Sequence, residues 1–358
     1  MALSIAIVGL PNVGKSTLFN ALTDAEALAA NYPFATIEPN TGIVPIPDER
    51  LEALARIYKT DKIVPATVTF VDIAGLVAGA SQGEGLGNQF LAHIRSCNAV
   101  CQVVRAFDDP NVQKAGSTDP RHDIEIINTE LILADLQTVN NRLPRLEKEF
   151  KADPKLLPLV NTLNKVKAGL EEGKLAGSFL NQEELEAIKD LQLLSAKPFI
   201  FAFNLDDSEL NDEKLKAELK SIVHPAPSVF VNAKLESELR GLDETDRREL
   251  LDSYGQKDSG LVQLIHAAYA ALGLQSFLTA GEKEVRAWTI PAGATAPQAA
   301  GAIHSDFERG FIAAQVVKYD DLISAGNEAA ARAAGKVRTE GKTYRMQADD
   351  IVEFRFNV

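Results

Sequence analysis

The chain has 358 residues, of which 46% are hydrophobic and 24% charged, and its formal net charge is −13. This composition is that of a globular protein of two or three domains, and it excludes disordered, collagen-like and low-complexity chains. The longest apolar runs are strand-sized and no basic segment opens the chain, so we expect neither a membrane span nor a signal peptide. Two cysteines are too few for a disulfide framework, which favours a cytoplasmic protein without disulfides.

Five short apolar runs within the first 275 residues have the composition of buried parallel strands. They are Ser4–Val8, Thr67–Val71, Val100–Val104, Pro198–Phe203 and Ser228–Val231. Helical patterns lie between them, which predicts an α/β fold with a doubly wound sheet. In this architecture ligands bind at the carboxyl ends of the strands, so we expect the functional site there.

A stretch too long for a simple crossover separates the third and fourth predicted strands. Its apolar residues repeat at spacings of three and four: Leu136, Val139, Leu143, Leu146 and Phe150, then Leu156, Leu159, Leu163, Val166 and Leu170. Two heptad seams around a short turn predict an inserted helical hairpin, with Pro144 kinking the first helix. Eight basic and five acidic residues give Asn140–Lys174 a net charge of +3, which suits either a solvated coiled-coil face or an RNA contact.

The pattern changes after about residue 275. Three segments indicate strands, Glu284–Ile290, Phe311–Tyr319 and Ile351–Val358, and two indicate helices, near Gln298–His304 and Asp320–Ala334. In the last strand apolar and polar residues alternate, as on a sheet with one buried and one solvated face. This predicts a separate α+β module.

A phosphate-binding loop follows the first predicted strand. The segment Gly9-Leu-Pro-Asn-Val-Gly14-Lys15-Ser16 matches the P-loop pattern, and Thr17–Leu22 then opens a helix. In such a loop the backbone N–H groups and the lysine bind nucleotide phosphates, and the Ser16 hydroxyl binds Mg²⁺. The strand before it and the helix after it make this motif specific.

Two further segments supply residues for the same metal and phosphates. Asp72-Ile-Ala-Gly75 ends the second strand, which places a carboxylate near Mg²⁺ and the Gly75 N–H near a γ-phosphate. Thr36 offers a hydroxyl that completes the metal shell. The glycine-rich segment Ala74–Gly87 suits a loop that is ordered by the γ-phosphate and released on hydrolysis.

Two motifs predict the base site. Asn204-Leu-Asp-Asp207 resembles the Asn-Lys-x-Asp of GTP-binding proteins, and Asn232-Ala-Lys234 resembles their Ser-Ala-Lys. The Asp207 carboxylate can accept from N1–H and N2–H₂ of guanine, whereas adenine offers one donor on that edge. Leu205 stands where such proteins have a lysine beside the base. This pair of motifs argues against a P-loop kinase, the rival class of enzyme.

Four of these segments together resemble the YchF/Obg-like ATPase family: Gly9–Ser16, Asn31–Pro39, Asp72–Gly87 and Lys283–Pro291. The resemblance covers essentially the whole chain. It implies a doubly wound P-loop NTPase (OBG-type G) domain over residues 1–122 and 196–275. A helical coiled-coil arm over 123–195 interrupts it, and a C-terminal TGS domain of ubiquitin-like β-grasp type covers 276–358.

The resemblance also implies a function and a set of site residues. The implied function is Mg²⁺-dependent hydrolysis of ATP, which is preferred over GTP. The hydrolysis acts as a conformational switch on the ribosome, which the protein contacts through the arm and the TGS domain. The implied nucleotide contacts are Asn12, Val13, Gly14, Lys15, Ser16, Thr17, Asn204, Leu205, Asp207 and Ala233. The implied metal ligands are Ser16, Thr36 and Asp72, and the catalytic candidates are Lys15, Asn12 and Gly75.

Two departures from the family pattern bear on specificity and catalysis. The family usually has Glu at the position of Asp207, so a GTP-selective GTPase remains an alternative. It also often has a His after the third strand, where this chain has Gln113 and Lys114. A His-dependent mechanism therefore cannot be transferred to this chain.

The sequence indicates slow intrinsic hydrolysis. Leu76 occupies the place of the glutamine that orients water in Ras-like proteins. A nucleotide-gated RNA- or ribosome-binding module with negligible hydrolysis is thus a third alternative. Asn12 either holds a K⁺ ion against the phosphates or braces a neighbouring loop, and His93, Arg95 and Lys114 are further candidates for supplying charge.

Overall fold

A computed structural model describes residues 3–23, 40–73, 86–107 and 119–357 of the chain. The chain divides into two compact units. The first comprises Met1–Ile43 and Thr69–Ala271, and the second comprises Val44–Val68 and Leu272–Val358. No helix among the described residues is long and apolar enough to cross a membrane.

Twelve strands occur in the described residues and form two six-stranded sheets. In chain order they are β1 Ser4–Val8, β2 Thr41–Pro45, β3 Ile63–Val64, β4 Thr67–Asp72, β5 Ala99–Arg105, β6 Phe199–Asn204, β7 Ser228–Val231, β8 Leu274–Ala280, β9 Val285–Pro291, β10 Phe311–Lys318, β11 Arg338–Glu340 and β12 Asp350–Phe356. The first sheet has the order β2-β4-β1-β5-β6-β7, and the second has the order β11-β10-β12-β8-β9-β3.

Fourteen α-helices occur in the same residues. They are α1 Lys15–Thr23, α2 Glu49–Tyr58, α3 Leu86–Ser96, α4 Pro120–Ala152, α5 Leu157–Glu171, α6 Gln182–Ala187, α7 Glu213–Val223, α8 Ala233–Glu238, α9 Glu244–Ser253, α10 Gly260–Ala271, α11 Ala296–Ile303, α12 Ser305–Arg309, α13 Tyr319–Ala325 and α14 Glu328–Ala333.

The first sheet confirms the predicted doubly wound architecture. β1 pairs in parallel with β4 and β5, and β5, β6 and β7 continue the parallel order. Every residue of β5 and β6 is buried, as expected of central strands covered on both faces. All five predicted strands are present within a residue or two of their expected bounds, and β2 is an additional strand that the sequence analysis did not predict.

The predicted hairpin is formed by α4 and α5, within the first unit. The heptad residues lie in one apolar cluster, with Val139, Leu146 and Val166 almost fully buried. Pro144 lies inside the continuous helix α4 and does not end it. At the turn, the Asp153 side chain accepts a hydrogen bond from the backbone N–H of Lys155, at the start of a 3₁₀ turn.

The second unit has the mixed sheet of a β-grasp fold. β8 and β9 form an antiparallel hairpin, β12 runs parallel to β8, and β10 pairs antiparallel with β12. One face of the sheet packs against α11, around Phe277, Ala299 and Val316. The helix predicted over Asp320–Ala334 is in fact two helices, α13 and α14, because Gly326 between them adopts φ +77° and ends the first.

The two compact units differ at two places from the domain boundaries expected from the sequence. Residues 44–68, expected in the G domain, lie in the second unit, and so do Leu272–Gln275. There α2 packs against β8 and β9, and β3 pairs in parallel with β9 at Ile63–Val285. The apolar face of α2 is visible in the sequence, but an amphipathic pattern does not reveal which sheet covers that face.

Candidate nucleotide-binding site

The loop 9–14 joins β1 to α1 in a conformation that needs glycine at two positions. Gly14 has φ +92°, and a Cβ there would lie 2.3 Å from Nδ2 of Asn204. A Cβ on Gly9 would lie 2.8 Å from the carbonyl oxygen of Val103. Asn12 also has a positive φ, 62°, a conformation that asparagine tolerates better than most residues. The loop therefore curls closely around the amino end of α1, where backbone N–H groups favour an anion.

Lys15 and Asp72 meet at this loop. Ile7 of β1 is in register with Asp72 of β4, so the end of β4 lies beside the P-loop. The Lys15 Nζ donates to Oδ1 of Asp72 in an ion pair whose side chains are 10% and 17% exposed. The structure thus brings together the predicted phosphate-binding lysine and the predicted metal carboxylate.

The residues present suit Mg²⁺. Ser16 is exposed on the first turn of α1, and its hydroxyl and the Asp72 carboxylate are hard oxygen donors. No cluster of three or more His, Cys, Asp or Glu side chains suited to a metal occurs among the described residues. A small set of protein ligands is what Mg²⁺ uses when phosphates and water complete its shell.

Several predicted residues fall outside the described ranges: Thr36, Gly75, Leu76, Gln113 and Lys114. Their roles as metal ligand, γ-phosphate contact or source of charge stay predictions.

Asn204, at the end of β6, joins the phosphate loop to the predicted base site. Its side chain is buried, donates from Nδ2 to the carbonyl of Val13 (3.0 Å), and accepts at Oδ1 from the backbone N–H of Ala233 (3.0 Å). Two loops that are 220 residues apart in sequence are thereby held at one edge of the sheet. Asn204, Val13 and Ala233, three of the predicted nucleotide contacts, thus lie together.

Asp207 is held by its neighbours. The Asn232 Nδ2 donates to Oδ1 of Asp207 at 2.7 Å, and the Lys234 Nζ lies 3.8 Å from Oδ2. Asn232 is itself fixed, because its Oδ1 accepts from the backbone N–H of Leu235 and caps α8. Asn232 was missing from the predicted contact residues, although its place in the Asn-Ala-Lys motif was the signal that could have identified it.

Two groups of candidate residues lie in the interior or away from the phosphate loop. Leu205 is only 2% exposed and packs in the interior of the unit, and its contact with the nucleotide stays a prediction. His93 and Arg95 lie in the last turn of α3, just before β5 begins. The carbonyl of Arg95 accepts a hydrogen bond from Lys197, which precedes β6, so this turn lies at the amino edge of the sheet, opposite the P-loop.

Comparison with known proteins places this geometry in a family. A profile described as "50S ribosome-binding GTPase" matches residues 4–141, and the profile YchF-GTPase_C, described as "Protein of unknown function", matches residues 274–357. The chain is 49% identical to "Ribosome-binding ATPase YchF" of Bacillus subtilis (strain 168), over 100% of both chains. The chain belongs to the YchF family.

Other members agree with this assignment. The homologue of Haemophilus influenzae, also named "Ribosome-binding ATPase YchF", is 49% identical over 100% of both chains. The solved structure of the Schizosaccharomyces pombe YchF GTPase superposes with a TM-score of 0.87 at 39% identity, and the match covers 99% of this chain and 97% of that one. The fold of this YchF-family chain, a P-loop NTPase domain followed by a β-grasp domain, is therefore that of its relatives.

Proposed function

We propose that this YchF-family chain is a Mg²⁺-dependent P-loop ATPase, with ATP preferred over GTP, that hydrolyses the nucleotide to NDP and phosphate as a conformational switch on the ribosome. The bridge made by Asn204 carries the proposal. Because one buried side chain joins Val13 of the P-loop to Ala233 of the base-site loop, the phosphate and base contacts form a single site. The names of the B. subtilis and H. influenzae relatives support ATP and the ribosome as its partners.

The residues predicted to contact the phosphates and the metal each have a proposed role. Lys15 at the start of α1 neutralises the β- and γ-phosphates, and Ser16 and Asp72 hold Mg²⁺, which would offset the charge that develops on the transferred phosphoryl group. Lys15 is paired with Asp72 in the structure, and Mg²⁺ held by Ser16 and Asp72 would supply that carboxylate with a counterion when Lys15 contacts the phosphates. Asn12 either holds K⁺ or braces a loop, and the Gly75 N–H contacts the γ-phosphate. Because Leu76 cannot orient water, turnover without a partner is slow.

A GTPase is the second candidate, and the contact between Asn232 and Asp207 favours it. A carboxylate held at 2.7 Å by a buried amide is ready to accept the two donors of guanine. The S. pombe relative is titled a GTPase. A nucleotide-gated binding module with negligible hydrolysis is the third candidate, and the rate of turnover distinguishes it from both enzymes.

The surfaces proposed to meet the ribosome are the hairpin and the β-grasp domain. At the hairpin, Arg145, Lys148, Lys151 and Lys155 are all exposed, whereas Arg142 is paired with Glu149 at 2.8 Å. Exposed cations near one turn suit the phosphates of RNA. Because the proposed partner is the ribosome, we infer that the protein is cytoplasmic.

Calorimetric titration of the nucleotide-free chain with ATP and with GTP, in Mg²⁺ and K⁺, tests the proposal. Tighter binding of ATP supports an ATPase, tighter binding of GTP supports the GTPase, and binding of neither overturns both. Lys15→Ala should abolish binding, whereas Lys257→Ala, an exposed lysine of the same unit, should not change it. Co-sedimentation with ribosomes that depends on the nucleotide separates a switch from an enzyme with no ribosomal partner.

A further inference from the structure

A buried carboxylate lies one helical turn beyond the base-site loop. Glu236 is in α8, the helix that Asn232 caps, and its backbone N–H donates to the carbonyl of Asn232 at 2.9 Å. The residue is only 3% exposed, and burial raises the pKa of its carboxyl group. A buried carboxylate lowers stability unless hydrogen bonds compensate for the lost water.

The hydrogen bonds of Glu236 lead to the amino end of α10. Its Oε1 accepts from the backbone N–H of Leu261 at 3.3 Å, and the N–H of Gly260 and the hydroxyl of Ser259 also donate to the carboxylate. The Ser259 hydroxyl in turn accepts from the backbone N–H of Val262 at 3.2 Å. The first N–H groups of a helix have no partner within the helix, so a carboxylate is favourable there. Glu236 therefore joins α8 to the first turn of α10.

The amino end of α10 is fixed to the strand that leads into the base site. A Cβ on Gly260 would lie 2.8 Å from the carbonyl oxygen of Phe230 and 2.9 Å from Cα of Val231, so the helix begins in direct contact with β7. β7 ends at Val231, and Asn232 follows it. The chain that runs from β7 through Asn232 into α8 is thus tied by Glu236 to a helix that packs on β7. This tie restricts the positions that Asn232 can adopt.

Asn232 connects Glu236 to the proposed base contact. Its amide donates to Oδ1 of Asp207 at 2.7 Å, and the backbone N–H of the next residue, Ala233, donates to Oδ1 of Asn204. Asn204 is buried and held by a second hydrogen bond, to the P-loop, so a shift of α8 should disturb the contact with Asp207 more. Because guanine offers this carboxylate two donors and adenine one, such a shift should affect GTP more than ATP.

We propose that Glu236 is a positioning residue for base selection, which acts through α8 and Asn232 on the orientation of Asp207. The inference rests on the proposed function, since it concerns the same base site. A carboxylate suits this role because one side chain can accept from three donors, which an apolar residue would leave unpaired.

Calorimetry of the full chain with ATP and with GTP tests this role. Glu236→Ala removes the acceptor, Glu236→Asp keeps the charge on a shorter side chain, and Glu236→Gln keeps an oxygen acceptor at the same reach. The matched control is Asp135→Ala, because the buried Asp135 carboxylate also accepts from two backbone N–H groups and one serine hydroxyl. Asp135 lies in the hairpin, so its loss should lower stability without changing the ratio of the two dissociation constants.

In Glu236→Ala we expect the affinity for GTP to fall by at least about tenfold and that for ATP by less than about threefold. Glu236→Asp should shift the ratio in the same direction by about threefold, and it supplies the measurement if the alanine variant does not fold. Glu236→Gln should keep the ratio near wild type. Hydrogen exchange of residues 232–236 should become faster in Glu236→Ala and Glu236→Asp and stay unchanged in Asp135→Ala.

Two kinds of failure can be told apart. An unchanged ratio in Glu236→Ala and Glu236→Asp, or an equal shift in Asp135→Ala, would overturn this inference and leave the proposed function in place. A wild-type chain that binds neither nucleotide would overturn the proposed function, and this inference with it.

Discussion

The amide of Asn232 donates a 2.7 Å hydrogen bond to Oδ1 of Asp207, and this contact orients the carboxylate that we propose reads the base. Asn232 is 3% exposed, and its Oδ1 accepts a hydrogen bond from the backbone N–H of Leu235. Rotating the amide away from Asp207 would break this hydrogen bond. The Asp207 side chain remains 36% exposed and can still accept from a ligand. A carboxylate that is oriented before the ligand arrives loses less entropy on binding.

Removal of the Asn232 amide should therefore weaken the binding of GTP more than the binding of ATP. In Asn232→Ala, we expect the affinity for GTP to fall by about tenfold and that for ATP by less than about threefold, since guanine offers Asp207 one more donor. Calorimetry with each nucleotide measures both values. Asn232→Ser is the matched control, because serine keeps the cap of α8 and can donate to Asp207. An equal loss for both nucleotides would show that Asn232 acts only through the loop.

Removal of the carboxylate itself gives a second test of base selection. Asp207→Ala should lower the affinity for GTP by at least about tenfold and leave ATP near wild type or tighter, because a lost acceptor penalises only the base that donates to it. The measurement is the ratio of the two dissociation constants. A ratio that does not change would mean that Asp207 does not read the base in this chain.

The sequence predicted the chemistry-bearing residues of this site better than their surroundings. Gly14, Lys15 and Asp72 follow from local motifs at strand ends, where the spacing alone determines the position. The surroundings of Leu205 could not be predicted in this way, because a leucine after a strand suits a base pocket and a protein interior equally well, and tertiary packing decides between them. The sequence likewise does not reveal that α2 packs in the second unit, since this placement depends on contacts with β8 and β9, over 200 residues away.

Asn204 should be needed for both nucleotides and for stability. In Asn204→Ala, the carbonyl of Val13 and the N–H of Ala233 lose their partner, and we expect unfolding free energy to fall by about 2–4 kcal/mol. The affinities for ATP and GTP should fall equally, whereas Asp207→Ala should lower mainly the affinity for GTP. Asn211→Ala, which removes an exposed amide bonded to the carbonyl of Tyr254, is the control and should change stability by less than about 1 kcal/mol. Selective loss of one nucleotide would contradict a bridging role.

Both cysteines should be inert in the folded chain. Cys97 and Cys101 are buried, and burial raises the pKa of both thiols, that of Cys101 to about 12. Because the thiolate is the reactive form, iodoacetamide at pH 8 should modify neither cysteine in the native protein and both in urea. Mass spectrometry of the alkylated chain counts the additions. Rapid modification of either thiol in the native protein would mean that the sheet opens around β5.

Asp135 ties the hairpin to the strand that carries Asn204. Its fully buried carboxylate accepts from the backbone N–H of Leu194 (2.9 Å) and from both the N–H and the hydroxyl of Ser195 (2.7 and 2.6 Å), four residues before β6. Asp135→Ala leaves three donors unpaired, so we expect unfolding free energy to fall by about 3 kcal/mol, with faster hydrogen exchange around residues 193–196. Urea unfolding measures the first effect. An unchanged urea midpoint would show that the apolar contacts alone stabilise the hairpin of α4 and α5.

The pH dependence of this contact has a definite sign. Burial raises the pKa of Asp135 above its ordinary value despite the three donors, so the folded chain binds the proton more tightly than the unfolded chain does. The stability that this gives is fully present below the unfolded pKa of about 4 and is lost as pH rises through the folded pKa. Asp135→Asn removes the titration, so the stability of the wild type relative to this variant should decline from pH 4 upward. A relative stability that rises with pH would mean that the donors prevail over burial and hold the carboxylate ionised.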